Sequence, residues 1–498
     1  PVPDSILRPL VEKYYSYGYG DKKILEAISR DVELEQNGWT LSTKTIQRRR
    51  KEWGLLSVKQ QGHTLETISP YIEQLRMQTA NRLGSRSMRD FLRSDNVLVS
   101  RLVDKQTLPR QLANNLSRHL ISQYQSLTDP IGNRQRRGKR LKHYHLWTAG
   151  LHELWSFDQH DKWKRFGLFL HVGLENFSNT VLWLKIWWTN SNPRLIASYY
   201  FEAAKRLHGL CIPLLTQSDP GTENNGIANA QTTLRRLLDP SLEDTLQHQW
   251  MRGHSNIKPE IFWSKLRRQW SQGWEALFQE GLDNGYYVPA FPAEALLFRW
   301  LAIPLVQRDL DRYAQIHNTS RPRKNDKKKM PTEIPYVLME HPEVYGPYHD
   351  YKVTISKELV DQVARELAPA DHPVFELVPD AFRYEASRVY EAIGCPPVNR
   401  STFWRVYTTM LNAFTDLPNA NAIQDEAFRN EQREATIGRE FMEVLPGRAA
   451  RGPALMGLEA DVEEEDPEGE DVRTGENNRF SPDGNEDDLS VYTLTLAV

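Results

Sequence analysis

Residues 154–188 read LWSFDQHDKWKRFGLFLHVGLENFSNTVLWLKIWW, and the way this stretch folds decides the architecture. Phe166 to Glu175 and Thr180 to Trp188 are rich in β-branched, aromatic and Leu residues, which predicts two strands. Asn176-Phe-Ser-Asn179 between them has the composition of a hairpin turn. Asp158 stands just ahead of the pair. A third apolar run, Cys211-Ile-Pro-Leu-Leu-Thr-Gln-Ser-Asp219, ends on a carboxylate and is followed by the loop Pro220-Gly-Thr-Glu-Asn-Asn225. An acid at the C-terminal end of a strand, beside a Gly-containing loop, is placed to face an open cleft. Glu260 opens Pro259-Glu-Ile-Phe-Trp-Ser-Lys-Leu-Arg-Arg-Gln-Trp270, where Pro259 suits the first turn of a helix and Ile261, Phe262, Leu266 and Trp270 recur at helical spacing. Two strand-borne aspartates and one helix-borne glutamate are thus expected to converge on one point.

Convergent carboxylates are hard ligands that hold Mg²⁺ or Mn²⁺ while leaving positions open for water and substrate phosphate. Two such ions roughly 3.5–4 Å apart serve an in-line phosphoryl displacement. Taken singly, each acid is one of 65 Asp and Glu residues, most of them solvated. Their order and context single them out. Trp155 and Asp158 are followed by Ser218, Asp219, Gly221, Glu223 and Asn224, and then by Asn256, Glu260 and Trp263, with 60 residues between the two aspartates and 40 between Asp219 and Glu260.

This ordered set resembles the catalytic core of retroviral-type integrases and related DDE transposases, in particular the integrase-core proteins of eukaryotic mobile elements. Their pattern is Trp-x-x-Asp, then Ser-Asp-x-Gly-x-Glu-Asn, then Asn-x-x-x-Glu before a Trp-bearing helix. Asn318-Thr-Ser-Arg-Pro322 and Pro331-Thr-Glu333 resemble the Asn-x-x-Arg-Pro and Pro-x-Glu elements that close such cores. Two departures are visible: Lys258-Pro259 stands where many relatives have Arg-Ile, and Pro220 follows Asp219. Neither removes a ligand.

The resemblance implies a ribonuclease-H-like α/β core, a mixed five-stranded sheet with flanking helices. It also implies catalysis by Asp158, Asp219 and Glu260 holding two Mg²⁺ or Mn²⁺ ions, with DNA as substrate. No small-molecule cofactor is expected, and because such chemistry joins two DNA ends, a homo-oligomer is implied.

Composition bounds the rest. A length of 498 residues suggests about three domains, and 39% hydrophobic content with 14 Trp is ample for buried cores. Two cysteines exclude a disulfide framework and a Cys-based zinc module. No apolar run approaches the roughly 18 residues of a membrane span, so no membrane partner is expected. Net charge is −2, yet residues 1–150 carry 26 Lys and Arg against 14 Asp and Glu, while 451–498 carry 3 against 14. A basic front and an acidic tail are expected where one end meets a polyanion.

Residues 1–60 read as a helix-turn-helix DNA-binding unit. Thr40-Leu-Ser-Thr-Lys-Thr-Ile-Gln-Arg-Arg-Arg-Lys-Glu-Trp53 offers a Ser/Thr start before a basic helix, with Arg48, Arg49, Arg50 and Lys51 as candidate DNA contacts. Residues 61–132 read as a second helical unit, with helices over 68–83 and 87–92, a third starting at Val97, and a possible insertion at 102–122. A basic linker, 133–148, follows; Arg136, Arg137, Lys139, Arg140 and Lys142 are placed to track a DNA backbone. The core spans 149–345, with helices over 193–208 and 228–238 and a last strand within 245–250.

Lys258, Lys265 and Arg267 flank Glu260 and are expected to grip phosphate, whereas His254 reads as a substrate contact or a structural residue. The basic cluster from Arg321 to Lys329 suits nuclear import, so the nucleus is the expected compartment. Residues 346–416 read as a small helical domain and 417–498 as a mostly disordered acidic tail. The function expected is metal-dependent cleavage and strand transfer of DNA by a mobile element's integrase, or its domesticated descendant. The alternatives are a fold-retaining DNA binder without turnover and a two-metal nuclease that cuts without joining.

Overall fold

The computed structural model describes residues 1–34, 36–79, 83–98, 120–129, 143–144, 147–251, 255–323, 330–449 and 460–461. Arg136, Arg137, Lys139, Arg140 and Lys142, most of 102–122, His254, and 462–498 lie outside these residues. At the centre is a five-stranded mixed sheet of β1 (Leu154–His160), β2 (Phe169–Glu175), β3 (Val181–Trp187), β4 (Leu215–Ser218) and β5 (His248–Trp250), in the order β3-β2-β1-β4-β5. β1, β2 and β3 run antiparallel as a meander, while β4 pairs parallel to β1 and β5 parallel to β4. β2 and β3 are buried along nearly their whole length, because helices cover the sheet on both sides, and their sequences are accordingly apolar without clean alternation. Gly173 in β2 makes room for a neighbour: a Cβ there would lie 2.4 Å from the Trp183 indole.

The hairpin turn at 176–179 is built around the buried Glu175 carboxylate, which accepts from the backbone N–H groups of His152, Phe177 and Ser178 and from the Ser178 hydroxyl. Turn composition predicts the reversal; its organising acid lies one residue earlier.

Ahead of the sheet lie α1 (Asp4–Ser16), α2 (Asp21–Asp31) and α3 (Thr43–Glu52), then α4 (Leu65–Gln78), α5 (Ser85–Ser94) and α6 (Leu120–Thr128). Ser42 caps α3 by accepting from Thr45 N–H. Leu7, Val11, Tyr14, Ile24, Ile28 and Ile46 make the first core. Val97 and Leu98 are not helical, and the rest of the expected helix start lies outside the described residues; among those described, α6 adds a further helix, whose Ile121 joins Ile68, Met88 and Phe91. The end of the stretch expected as an insertion therefore supplies core.

The sheet is flanked by α7 (Pro193–Arg206), α8 (Asn225–Leu238), α9 (Ile257–Leu266), α10 (Gln272–Asp283) and the 28-residue α11 (Pro292–Thr319). Asn192 caps α7 by accepting from Arg194 and Leu195, with Pro193 in the first turn. At the end of α11, Asn318 pairs with both backbone groups of Val181, at 2.8 and 2.9 Å, and so fastens the helix to the start of β3. Arg321 donates to Glu333 at 2.7 Å, so two elements quoted separately from the sequence form one ion pair.

Then come α12 (Pro335–Glu340), α13 (Lys357–Leu367), α14 (Asp380–Ala392), α15 (Phe403–Thr415) and α16 (Ala420–Ile437). Two expectations need correction. The helices after residue 346 share one hydrophobic cluster with the sheet instead of forming a separate core. The chain from 417 to 449 is also ordered: Ile423 and Ala427 of α16 are buried, Glu434 pairs with Arg299, and Glu440 pairs with Arg194 at 2.6 Å. Ion pairs to arginines of the core supply what its apolar content does not.

Arg299 keeps only 6% of its surface exposed, so Glu434→Ala leaves a buried guanidinium without its carboxylate. The expected loss is about 3 kcal/mol in denaturant unfolding, against a few tenths for Glu431→Ala on the exposed face of α16.

Candidate active site

Sheet register brings the two aspartates together. Leu154, Trp155 and Ser156 of β1 lie opposite Leu215, Thr216 and Gln217 of β4. Continued by two residues, that pairing sets Asp158 abreast of Asp219, on neighbouring strands about 4.8 Å apart. Trp155 anchors β1 from below: it is fully buried and its indole donates to His152 Nδ1 at 3.1 Å.

The loop after β4 is shaped by its own side chains. Asn224 Nδ2 donates to the Asp219 carbonyl and to Glu223 Oε1, both at 3.1 Å. Glu223 folds back over Gly221 so closely that a Cβ on that residue would sit 1.9 Å from its Oε1. Glycine is needed there for space, since its backbone is extended. Burial raises the pKa of Glu223, with Asp161 adding to the rise and hydrogen bonds from its own backbone and Gln159 opposing it.

Glu260 arrives on the first turn of α9, and two ties hold that helix to β1. Asn256, wholly buried, donates to the Phe157 carbonyl at 2.9 Å and accepts from Gln217 at 3.2 Å, so it touches both aspartate-bearing strands. Trp263 donates through Nε1 to Asp158 Oδ2 at 3.0 Å, and its ring stacks on His160 with centroids 4.8 Å apart. One tie lies on each side of Glu260.

Burial first, then the Asp219 carboxylate and, more weakly, Glu260 push the Asp158 carboxyl from 3.8 up to about 8; the Gln159 backbone and Trp263 oppose the rise. His160 is driven down to about 3 by burial and by Lys162 and Arg267, so it is neutral. His248 is also held neutral by burial, between the hydroxyls of Thr216 and Ser218 at 2.9 and 3.2 Å. Neither ring is poised as a base near pH 7. Asp161 lies past the end of β1, where Asn190 donates to it at 2.6 Å.

Among the described residues no three His, Cys, Asp or Glu side chains are drawn into a ligating cluster. The chemistry of the set nevertheless fits a hard divalent cation. All three donors are carboxylates, and their mutual repulsion is the kind a cation relieves.

Other candidates divide. Lys258 donates to Asn179 at 3.4 Å and Lys265 contacts His317 Nδ1 at 3.0 Å, so both lysines engage the β2–β3 turn and α11. His317, whose Nε2 lies 2.9 Å from the Asn179 carbonyl, completes that network, and nothing in the sequence singles it out. Arg267 sits in a π-helical turn, Arg267–Ser271, near His160, together with Lys162, which sequence reasoning misses because nothing marks it in a mixed loop.

Arg50 is a correction. Expected on the DNA side of α3, it is buried, pairing with Asp21 at 2.8 Å and donating to the Leu55 carbonyl. Arg49 pairs with Asp4 and Glu52 at 3.1 and 3.0 Å, while Arg48 and Lys51 are exposed.

A carboxyl whose folded pKa lies above its unfolded value binds the proton more tightly when folded. The stability it confers is present at low pH and is lost as pH rises from about 4 through about 8. In EDTA, the melting temperature of the wild type is expected to fall over that window more steeply than that of Asp158→Asn. Parallel curves by circular dichroism would remove the electrostatic account of the site.

Residues 144–340 match the protein family described as integrase core domain. No curated protein matches the chain. The matched segment starts ahead of β1 and ends at the last residue of α12, so it takes in the whole sheet and all three acids. The five-stranded mixed sheet with flanking helices is the ribonuclease-H-like architecture that this family implies. Over residues 144–340 the chain is thus similar to an integrase core domain.

Proposed function

We propose that this chain is a mobile-element DNA integrase or transposase, or its domesticated descendant, catalysing metal-dependent cleavage of a phosphodiester followed by strand transfer. What supports this reading is the likeness of residues 144–340 to an integrase core domain, together with the β1–β4 register that sets Asp158 abreast of Asp219. Asp158, Asp219 and Glu260 would hold two Mg²⁺ or Mn²⁺ ions. Such ions, when bound, supply Lewis-acid chemistry for in-line displacement at phosphorus.

In the first step water attacks a phosphodiester at the element end, one P–O bond forms and another breaks, and a 3′-hydroxyl is released. In the second, that hydroxyl attacks target DNA with the same exchange of bonds. The side chains position these reactants. Lys162 and Arg267, beside His160, offer positive charge for the backbone phosphate. Neutral His160 supports Trp263 by stacking.

DNA would also be met by α3. Lys44, Gln47, Arg48 and Lys51 are all exposed and recur at helical spacing, which makes one polar, basic stripe. Ile46 and Arg50 occupy the buried side. The substrate implies nuclear residence and two synapsed DNA ends, hence a multimer.

With Mn²⁺, purified protein and labelled element-end DNA, joined products are expected, and Asp219→Asn reduces them to background. Nicks without joining would indicate a nuclease, and shifted but uncut DNA a fold-retaining binder; either overturns the recombinase. Replacing Lys44, Arg48 and Lys51 by Ala is expected to weaken duplex binding and to reduce the slope of log K against log salt by about 1 for each phosphate no longer neutralised. An unchanged slope would remove α3 from the DNA interface.

A further inference from the structure

We propose that Trp263 is a positioning residue that aims Asp158: its indole N–H commits Oδ2 and fixes the carboxylate's orientation, so that Oδ1 is the oxygen presented to a cation. The inference rests on the reading of Asp158, Asp219 and Glu260 as the metal-holding set.

Trp263 follows Glu260 by three residues on α9, so the two side chains share a side of the helix. The indole therefore reaches the carboxylate beside which Glu260 arrives. It keeps only 7% of its surface exposed and is stacked at 18° to His160, with Phe262 edge-on at 5.7 Å. A ring held on two sides cannot follow a carboxylate that rotates, so the hydrogen bond selects one orientation of Asp158.

The choice of donor is informative. An indole N–H donates, carries no charge and does not ligate metals. A lysine in the same place would compete with a cation for the carboxylate, and a histidine could itself become a ligand. Trp263 steers one oxygen while leaving the negative charge of the acid in place. Because its partner residue directly follows Phe157, whose carbonyl Asn256 holds, the spacing between Glu260 and Asp158 is fixed from both sides.

A merely structural tryptophan would lose packing when changed and nothing else. Trp263→Phe keeps an aromatic ring against His160 and removes the N–H. In the full-length protein, Mn²⁺ affinity measured by water-proton relaxation is expected to fall about 10-fold or more, the usual scale for removing a partner of a metal-holding group. The far-ultraviolet circular dichroism should stay unchanged.

If Trp263→Phe fails to fold, benzothienylalanine at this position preserves the bicyclic shape with sulfur in place of N–H, and the same loss is expected. Affinity within twofold of wild type in whichever variant folds overturns the inference. Asp158→Asn separates this from the underlying reading. If Mn²⁺ binding collapses in Asp158→Asn but persists in Trp263→Phe, the positioning role alone fails. If it persists in both, the assignment of the three acids fails with it.

Discussion

Three consecutive backbone pairings between β1 and β4, from Leu154 with Leu215 to Ser156 with Gln217, govern everything placed above them. A strand presents alternate residues to opposite faces, so a slip of one residue would turn Asp158 away from Asp219. The register is secured by side chains below the acids. Ser156 bonds Asn176 at 2.8 Å, Gln217 reaches Asn256, and His248 on β5 bridges the hydroxyls of Thr216 and Ser218. The apolar helices on both sides then leave the sheet no alternative face to bury.

Much of this is legible in the sequence, for identifiable reasons. The strands of the meander announce themselves by composition, and α9 by Pro259 in its first turn together with recurring apolar residues. Sequence order also singles out the three acids, although their approach depends on a long-range register that no local pattern encodes. The burial of Arg50 has a local signal: it lies four residues after Ile46 and so on the buried side of α3. A run of four cations conceals that period. The segment 417–449 reads as tail because its apolar residues are sparse, and its order comes from arginines more than 100 residues away in sequence. Partners at such separation are invisible to a window of neighbouring residues.

The candidate site is assembled against electrostatic resistance. Burial and the neighbouring Asp219 carboxylate hold the Asp158 carboxyl towards its protonated form, and the Gln159 backbone and the Trp263 indole, both neutral donors, oppose that rise. Beside them, burial depresses the pKa of His160, and Lys162 and Arg267 add to that fall. Carboxyls perturbed in this way cluster at functional sites.

The first three helices do not hang loose from the core. Leu7 and Val11 of α1 share a cluster with Ile334 and Val337, Lys13 pairs with Glu340 at 2.7 Å, and Asp31 meets His341 at 2.8 Å. The helices that carry the exposed stripe of α3 are thus tied to α12, which follows the core helices in the chain. Were the chain to act on DNA as proposed, this tie would make it a calliper: the interval in base pairs between recognised sequence and severed bond would be set by the protein's own span.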